Sequence, residues 1–190
     1  MDGGATAQPA SQPRLTGRSK IMLAIAAVVV LGVGVVIGLT ASSQAKTTTR
    51  PRPAKAFALT ELGHPGHTVS LAGLAGQPVI INFFASWCAP CKRETPLLAS
   101  FYRSHHGKVL VIGVDSNDQM APALKFIGAQ GVQYPVAFDP YPAKTAVGYG
   151  VLALPQSFFL NSRHLVVKHV VGPLTAADLN SWAASLAGSG

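Results

Sequence analysis

Two cysteines, Cys88 and Cys91, are the residues of this chain best suited to chemistry, and it has no others. The apolar run Val79–Phe84 precedes them and a helical pattern over residues 92–98 follows, so the pair is expected where a strand passes into a helix. The unpaired N–H groups and dipole at a helix N-terminus favour an anion such as a thiolate. The spacing therefore predicts a pair that cycles between dithiol and disulfide, with Cys88 the exposed nucleophile and Cys91 the more buried, resolving thiol.

Two other kinds of site use the same cysteine spacing. A structural zinc ion needs four ligands, but the chain has no second cysteine pair, and His105 and His106 are adjacent rather than spaced as zinc-binding histidines are. These histidines are instead expected in the last turn of a helix, where positive charge is favoured. No metal or cofactor is predicted. An inert structural disulfide remains an alternative, although so small a loop contributes little stabilisation.

The residues around the cysteines extend the pattern. Residues 84–96 have the sequence Phe-Ala-Ser-Trp-Cys-Ala-Pro-Cys-Lys-Arg-Glu-Thr-Pro. This stretch resembles the active-site signature of thioredoxin-like proteins, and the ending with Glu94 and Pro96 is most similar to the membrane-anchored TlpA/ResA/CcmG (DsbE) type. The resemblance covers roughly residues 57–186. It implies an α/β fold, a thioredoxin-like sandwich whose mixed central sheet has helices on both faces, with an N-terminal hairpin and a mid-domain insertion over about residues 115–149.

The resemblance also implies roles for single residues. In that family a glutamate at the position of Glu94 tunes the cysteine pKa values and handles protons, whereas the alternative is a solvated helix carboxylate. Pro155 matches a cis-proline that lies against the cysteine pair, and Trp87 is expected to cover the pair, with simple packing as the alternative. Asn82 stands where thioredoxins proper have a buried aspartate; because an amide cannot ionise, acid–base work shifts to Glu94 or water. Leu154 replaces the usual threonine or valine, which bears on substrate preference.

Strand and helix patterns alternate along the rest of the chain. Strands are predicted at 57–60, 68–71, 79–84, 109–114, 136–138, 156–160 and 165–171. Helices are predicted at 89–106, 120–130 and 143–149, and a last helix buries Leu179, Trp182, Ala183 and Leu186. Residues 115–118 are expected to form a loop, and Leu124 and Ile127 to face inward. Thr175 and Asp178 match a capping box before the last helix.

The net charge of +8 is unevenly distributed. Residues 1–54 contain six basic side chains and one acidic side chain, and the remaining charge is spread over the rest of the chain without a block of one sign. The high pI therefore reflects the N-terminal part of the chain. Because a nucleic-acid-binding surface needs a basic stripe or patch, no nucleic acid partner is expected.

The N-terminal part is predicted to anchor the protein. Residues 1–20 form a disordered cytoplasmic tail, 21–39 an uncharged apolar span of about 28 Å as a helix, 40–56 an extended extracytoplasmic linker, and 57–190 the thioredoxin-like domain. Basic residues before the span favour a cytoplasmic N-terminus and a single-pass membrane protein with its catalytic domain outside. The alternative is a signal peptide that is cleaved after the span, which would give a secreted protein.

Together these features predict an extracytoplasmic thiol-disulfide oxidoreductase, with a reductase of protein disulfides as the favoured direction. Glu94 places negative charge near the thiols, which raises thiol pKa values and favours the disulfide over the dithiol. The resemblance implies a transmembrane thiol reductase as electron donor and a role in cytochrome c maturation. The alternatives are an oxidase that installs disulfides in secreted proteins, or a non-catalytic anchored binding module. A peroxidase is disfavoured because the peroxiredoxin motif Pro-x₃-Thr-x₂-Cys is absent.

Overall fold

A computed structural model of the chain describes residues 51–105 and 107–187. The predicted tail 1–20, the apolar span 21–39 and the linker before residue 51 lie outside the described residues. Within the described ranges, no helix is long and apolar enough to cross a membrane.

Eight strands and four α-helices are present in the described residues. The strands are β1 (Arg52–Pro53), β2 (Ala58–Thr60), β3 (Thr68–Ser70), β4 (Val79–Phe84), β5 (Leu110–Ser116), β6 (Val136–Asp139), β7 (Gln156–Leu160) and β8 (Leu165–Val171). The helices are α1 (Ala89–Ser104), α2 (Met120–Ala129), α3 (Lys144–Tyr149) and α4 (Ala176–Ala187). From β2 onwards, the order of these elements agrees with the predicted order.

The strands form one six-stranded mixed sheet in the order β1-β8-β7-β4-β5-β6, and β2 and β3 form a separate hairpin. β4 is parallel to β5 and antiparallel to β7, so it lies in the middle of the sheet. All six residues of β4 are buried, as its continuous apolar run predicts for a strand covered on both faces.

Side chains alternate along β4 between two hydrophobic cores, because successive residues of a strand point to opposite faces. Ile80 and Phe84 pack with residues of α1, α2 and α4. Val79, Ile81 and Phe83 pack with residues of α3 and the β2–β3 hairpin. Helices therefore cover both faces of the mixed sheet, which confirms the predicted fold class.

The structure differs from the predictions at three places. Asp115 and Ser116 belong to β5 rather than to a loop, because they pair with Phe138 and Asp139 of β6 and are buried. Arg52–Pro53 pairs with β8, so the chain joins the sheet before the predicted domain start at residue 57.

The third difference concerns the buried face of α2. This face contains Ala123 and Phe126, with Ile127 partly buried beside them. The inward placement of Leu124 is wrong, because its side chain lies beside Gly63 of the hairpin turn and is 38% exposed. Helix α2 therefore contacts the core through a narrower stripe than its apolar sequence suggests.

Candidate active site

Cys88 and Cys91 lie where β4 passes into α1 and form a disulfide with an S–S distance of 2.00 Å. Cys88 is the N-cap residue of α1, with extended backbone, and its Sγ accepts the backbone N–H of Cys91 at 3.2 Å. A donor aimed at this sulfur is what stabilises a thiolate at a helix N-terminus. The predicted difference in burial is small in the disulfide form, since Cys88 is 4% and Cys91 1% exposed.

Glu94 is buried behind the cysteine pair, one turn after Cys91 on α1. Its Oε1 accepts a hydrogen bond of 3.2 Å from Asn82 Nδ2, which also donates to Ser157 Oγ at 2.9 Å. Burial raises the pKa of Glu94 to about 7, and the backbone N–H of Leu174 partly offsets this effect. The structure thus rules out the solvated helix carboxylate. A carboxyl group that titrates near neutral pH can both accept and donate a proton.

Asn82 has a larger part in this site than the sequence indicated. It was predicted only as a residue that cannot ionise, yet its amide links three elements, β4, α1 and β7. The available signal was one polar residue in the otherwise apolar run of β4. Its partner Ser157 lies directly opposite in the β4–β7 register, which no local pattern reveals.

Pro155 begins the turn into β7, and the Leu154–Pro155 peptide bond is cis, as the resemblance implied. The Pro155 carbonyl accepts the backbone N–H of Gly172 at 3.0 Å. Gln156 Nε2 donates to the carbonyl of Ala153 at 2.9 Å, and Gln156 Oε1 contacts His169 Nε2 at 2.8 Å. The Gln156 side chain, contacted in turn by His169, therefore holds the segment before the proline, and the Gly172 backbone holds the proline carbonyl. The sequence analysis did not identify Gln156 or His169.

Trp87 is 58% exposed, although it precedes the buried Cys88. Its indole N–H donates to the Asn117 carbonyl at 3.1 Å, and the preceding Ser86 N–H donates to the Asp118 carboxylate. The loop after β5 thereby holds the residues that lead into the cysteine pair. This exposure argues against simple packing of Trp87 in the core.

Comparisons with known proteins agree with this geometry. Residues 51–169 match the AhpC/TSA family. ResA, a thiol-disulfide oxidoreductase of Bacillus thuringiensis, is 31% identical over 131 residues, which cover 68% of this chain and 73% of ResA. The thiol:disulfide interchange protein DsbE of Xylella fastidiosa (strain Temecula1) is 35% identical over 121 residues, 64% of this chain and 60% of DsbE.

The fold is shared as well. The crystal structure of a thiol:disulfide interchange protein of the thioredoxin family from Chlorobium tepidum superposes with a TM-score of 0.64 at 29% identity, covering 73% of this chain and 97% of that one. The chain belongs to the AhpC/TSA family. Its relatives and its disulfide-bonded Cys-x-x-Cys pair make it a thiol-disulfide oxidoreductase of the ResA/DsbE type, which confirms the predicted enzyme class.

An apolar surface of this oxidoreductase includes Trp87, the residue before Cys88. Trp87 and residues 152–154, which precede Pro155, line one cavity of about 250 Å³. Tyr141 and Val147 also line it and are exposed, and Leu152 is 96% exposed. Exposed apolar side chains grouped in one place commonly mark a surface for another protein. The enzyme class implies thiol or disulfide substrates, and this surface is a candidate contact for a protein substrate.

Asp115 is a second buried carboxyl group of the oxidoreductase, and the sequence analysis missed its burial. It is 0% exposed, and neither carboxylate oxygen has a hydrogen-bond partner of normal geometry. Burial, with the charges of Asp118 and Asp139, raises its pKa to about 8. Burial therefore favours the protonated form of Asp115 at neutral pH. In the described ranges, no group of three or more potential ligands is placed to hold a metal ion.

Proposed function

We propose that this oxidoreductase is a membrane-anchored, extracytoplasmic reductase of protein disulfides. The observation that supports the reductase direction is the buried Glu94 carboxylate on the same helix as Cys91. Negative charge at this position disfavours a thiolate and raises thiol pKa values, so it favours the disulfide over the dithiol. A dithiol that is easily oxidised is a good electron donor, as a reductase requires.

The side chains around the pair support the same direction. Ala89 and Pro90, between the cysteines, have no charge that would hold a thiolate. Lys92 and Arg93 are exposed, and Arg93 extends back to the Ala89 carbonyl at 3.5 Å. Cations in solvent are screened and stabilise a thiolate less than a buried cation would.

The reaction then proceeds in two exchange steps. The Cys88 thiolate attacks a substrate disulfide, so a Cys88–substrate S–S bond forms, the substrate S–S bond breaks and the leaving sulfur takes a proton. Cys91 passes its proton to ionised Glu94 and attacks Cys88 Sγ, which releases the second substrate sulfur. Two electrons have moved from the cysteine pair to the substrate, and the Cys88–Cys91 disulfide remains.

The oxidised pair must be reduced before the next turnover. A transmembrane thiol reductase, which carries electrons from the cytoplasm, is the partner that fits an extracytoplasmic enzyme. The uncharged span 21–39 with basic residues before it supports the membrane anchor and this orientation. The resemblance to the TlpA/ResA/CcmG type supports the Cys-x-x-Cys-His haem-binding site of a c-type cytochrome as the substrate.

The reduction potential distinguishes the reductase from the alternative, an oxidase. The full-length chain is equilibrated with glutathione or dithiothreitol buffers, and the fraction of disulfide is measured. We expect a value nearer about −270 mV, as in thioredoxin, than about −120 mV, as in DsbA. A potential above roughly −180 mV, the value of protein disulfide isomerase, would assign the protein as an oxidase.

Single cysteine variants test the roles of the two thiols. Cys91→Ser should trap a mixed disulfide between Cys88 and a substrate, because no resolving thiol remains, whereas Cys88→Ser should trap none. The alkylation rate of Cys88 in Cys91→Ser should indicate a pKa below the usual value of about 8.5 for a free cysteine. Rapid alkylation of Cys91 alone would reverse the assignment.

Cell fractionation and N-terminal sequencing test the anchor. The full-length protein should sediment with membranes and keep its N-terminal residues. A soluble protein that begins near Ser42 or Lys46 would show that the span is a cleaved signal peptide.

A further inference from the structure

Tyr134 is a buried tyrosine whose hydroxyl has no part in the steps above. It lies just before β6 and is 3% exposed. Its ring packs on the backbone of Gly113, where an added Cβ would lie 3.1 Å from Tyr134 Cε2. It also meets the ring of Tyr102 edge-on at a centroid distance of 5.9 Å. The absence of a side chain at Gly113 thus makes room for this ring.

The position of Gly113 brings Tyr134 to the polar cluster behind the cysteines. Gly113 is paired with Asn82 in the β4–β5 register, and Asn82 donates to Glu94. Burial raises the pKa of Tyr134 above its usual value, and the charge of Glu94 raises it further. Because paired residues of neighbouring strands point to the same face of a sheet, the Tyr134 ring lies on the face that carries Asn82 and Glu94.

Two buried atoms in this cluster have no hydrogen-bond partner of normal geometry, Tyr134 Oη and Glu94 Oε2. Leaving a buried polar atom unpaired destabilises the fold, and a phenylalanine at 134 would fill the same space without this cost. The two atoms are complementary, because a phenol donates a hydrogen bond and a carboxylate oxygen accepts one.

We propose that Tyr134 is a positioning residue for Glu94, and that its hydroxyl donates to Oε2 when this carboxylate is ionised. With Asn82 on Oε1 and Tyr134 on Oε2, both oxygens of the ionised carboxylate would then have a donor. Such donation favours the ionised form that accepts the proton of Cys91. This inference rests on the proposed role of Glu94 as the proton acceptor.

Among the described residues, the side chains that contact Glu94 carry no positive charge that could hold its carboxylate in the ionised form. Cys91 lies on the same helix, and Asn82 and Ser157 face it from β4 and β7 without charge. The Leu174 N–H approaches from the segment before α4. In the described residues, the ion pairs involve Glu61 rather than Glu94.

The test is a titration of Glu94 in Tyr134→Phe, which removes the hydroxyl and keeps the ring. The chain has two glutamates, Glu61 and Glu94, so ¹³C-carboxyl-glutamate labelling of the full-length protein gives two signals, which Glu61→Gln assigns. We expect the pKa of Glu94 in the dithiol form to rise in Tyr134→Phe by about one unit, a tenfold change in its proton affinity. An unchanged Glu94 titration would overturn the proposal.

Tyr149→Phe is the matched control. It removes a buried tyrosine hydroxyl in the other core, where Tyr149 donates to the Lys55 carbonyl at 2.6 Å. The Glu94 titration should stay at its wild-type position. An equal shift in both variants would show a general loss of stability and would overturn the proposal.

A second measurement needs no substitution at Tyr134. In the wild-type dithiol form, the ¹³Cζ signal of Tyr134 should shift with the ionisation of Glu94, and this inflection should vanish in Glu94→Gln. Its persistence in Glu94→Gln would show that the phenol responds to another group and would overturn the proposal. Both titrations are independent of turnover. If they show the contact between Tyr134 and Glu94, but Glu94→Gln leaves the reactivity of the cysteines unchanged, the proton role of Glu94 is refuted and the contact still holds.

Discussion

Glu94 places a carboxyl group in the apolar core, one turn after Cys91 on α1. Its side chain is 3% exposed, and burial brings its pKa to about 7. The carboxyl can therefore change charge near neutral pH while the cysteine pair changes oxidation state. Asn82 fixes one of its oxygens with an amide whose charge never changes.

Glu94→Gln should make the reduction potential less negative, because the removed negative charge no longer disfavours the thiolate. A tenfold change in the equilibrium constant corresponds to about 30 mV, and we expect a shift of that order. If Glu94 titrates near pH 7, the alkylation rate of Cys91 in the wild type should show an inflection near this pH. This inflection should disappear in Glu94→Gln. Glu61→Gln, in the hairpin region, is the control and should change neither property. An unchanged potential in Glu94→Gln would remove the electrostatic basis for the reductase direction.

At the scale of elements, the N-termini of α1 and α4 show how a few neighbouring residues determine where a helix begins. Cys88 caps α1 with its sulfur, and Pro90 occupies the first turn, where no backbone donor is lost. Before α4, Thr175 Oγ1 accepts the Asp178 N–H at 3.1 Å, and Asp178 Oδ2 accepts the Thr175 N–H at 3.1 Å. This reciprocal pair confirms the predicted capping box.

Thr175→Ala should lower the free energy of unfolding by about 1 kcal/mol, because the last helix loses its N-cap acceptor. The Thr175 hydroxyl and backbone N–H hold the pKa of Asp178 below its ordinary value. A carboxylate whose pKa is lower in the folded than in the unfolded state stabilises the fold at pH values above its unfolded-state pKa. Part of the stability loss in Thr175→Ala should therefore disappear as the pH falls through the folded-state pKa of Asp178. Urea unfolding measures both effects. Ser181→Ala in the same helix should have a smaller effect.

The turn before β7 carries the exposed apolar residues that a substrate would meet. Leu152→Ser should reduce kcat/KM for a protein disulfide by about fivefold or more, since apolar contact area contributes about 25 cal/mol per Å². The rate with dithiothreitol should stay unchanged, because a small thiol does not need this surface. Leu124→Ser, an exposed leucine outside the cavity, is the control. Equal losses with both reactants would contradict a docking role.

At the scale of the whole molecule, two buried carboxyl groups of the described residues besides Glu94 depend on the packing of several elements. Asp115 at the end of β5 is surrounded by the charges of Asp118 and Asp139. Asp139 itself accepts the N–H groups of Thr145 and Ala146 at the start of α3. One carboxylate thus stabilises a helix terminus, whereas the other is kept neutral by burial and repulsion.

Asp115→Asn should make the protein more stable in alkaline solution. The folded-state pKa of Asp115 is about 8, above the ordinary 3.8, so folding favours the protonated form. Stability is therefore lost as the pH rises from the unfolded to the folded pKa, at up to about 1.4 kcal/mol per pH unit. Urea unfolding from pH 4 to pH 9 should show a shallower decline in Asp115→Asn. An identical decline would refute the raised pKa. Asp139→Asn should instead destabilise the fold.

The sequence by itself determined the elements that position the cysteines. The run Val79–Phe84, apolar except for Asn82, predicts a strand buried on both faces, and the Cys-x-x-Cys motif with a proline predicts the helix start, because these signals act over a few neighbouring residues. Short-range sequence patterns of the same kind predicted the disulfide pair and the capping box before α4. The family resemblance added Glu94 and the cis configuration before Pro155.

Only the tertiary structure decided which polar groups are buried and what they contact. Asn82 and Ser157 are 75 residues apart in sequence, and their contact exists because β4 and β7 are neighbours in the sheet. Asp115 was predicted in a loop because aspartate is uncommon in strands, yet its pairing with Phe84 and Phe138 buries it. The pKa of a carboxyl group depends on desolvation and on charges from other elements, so it is a property of the packed molecule.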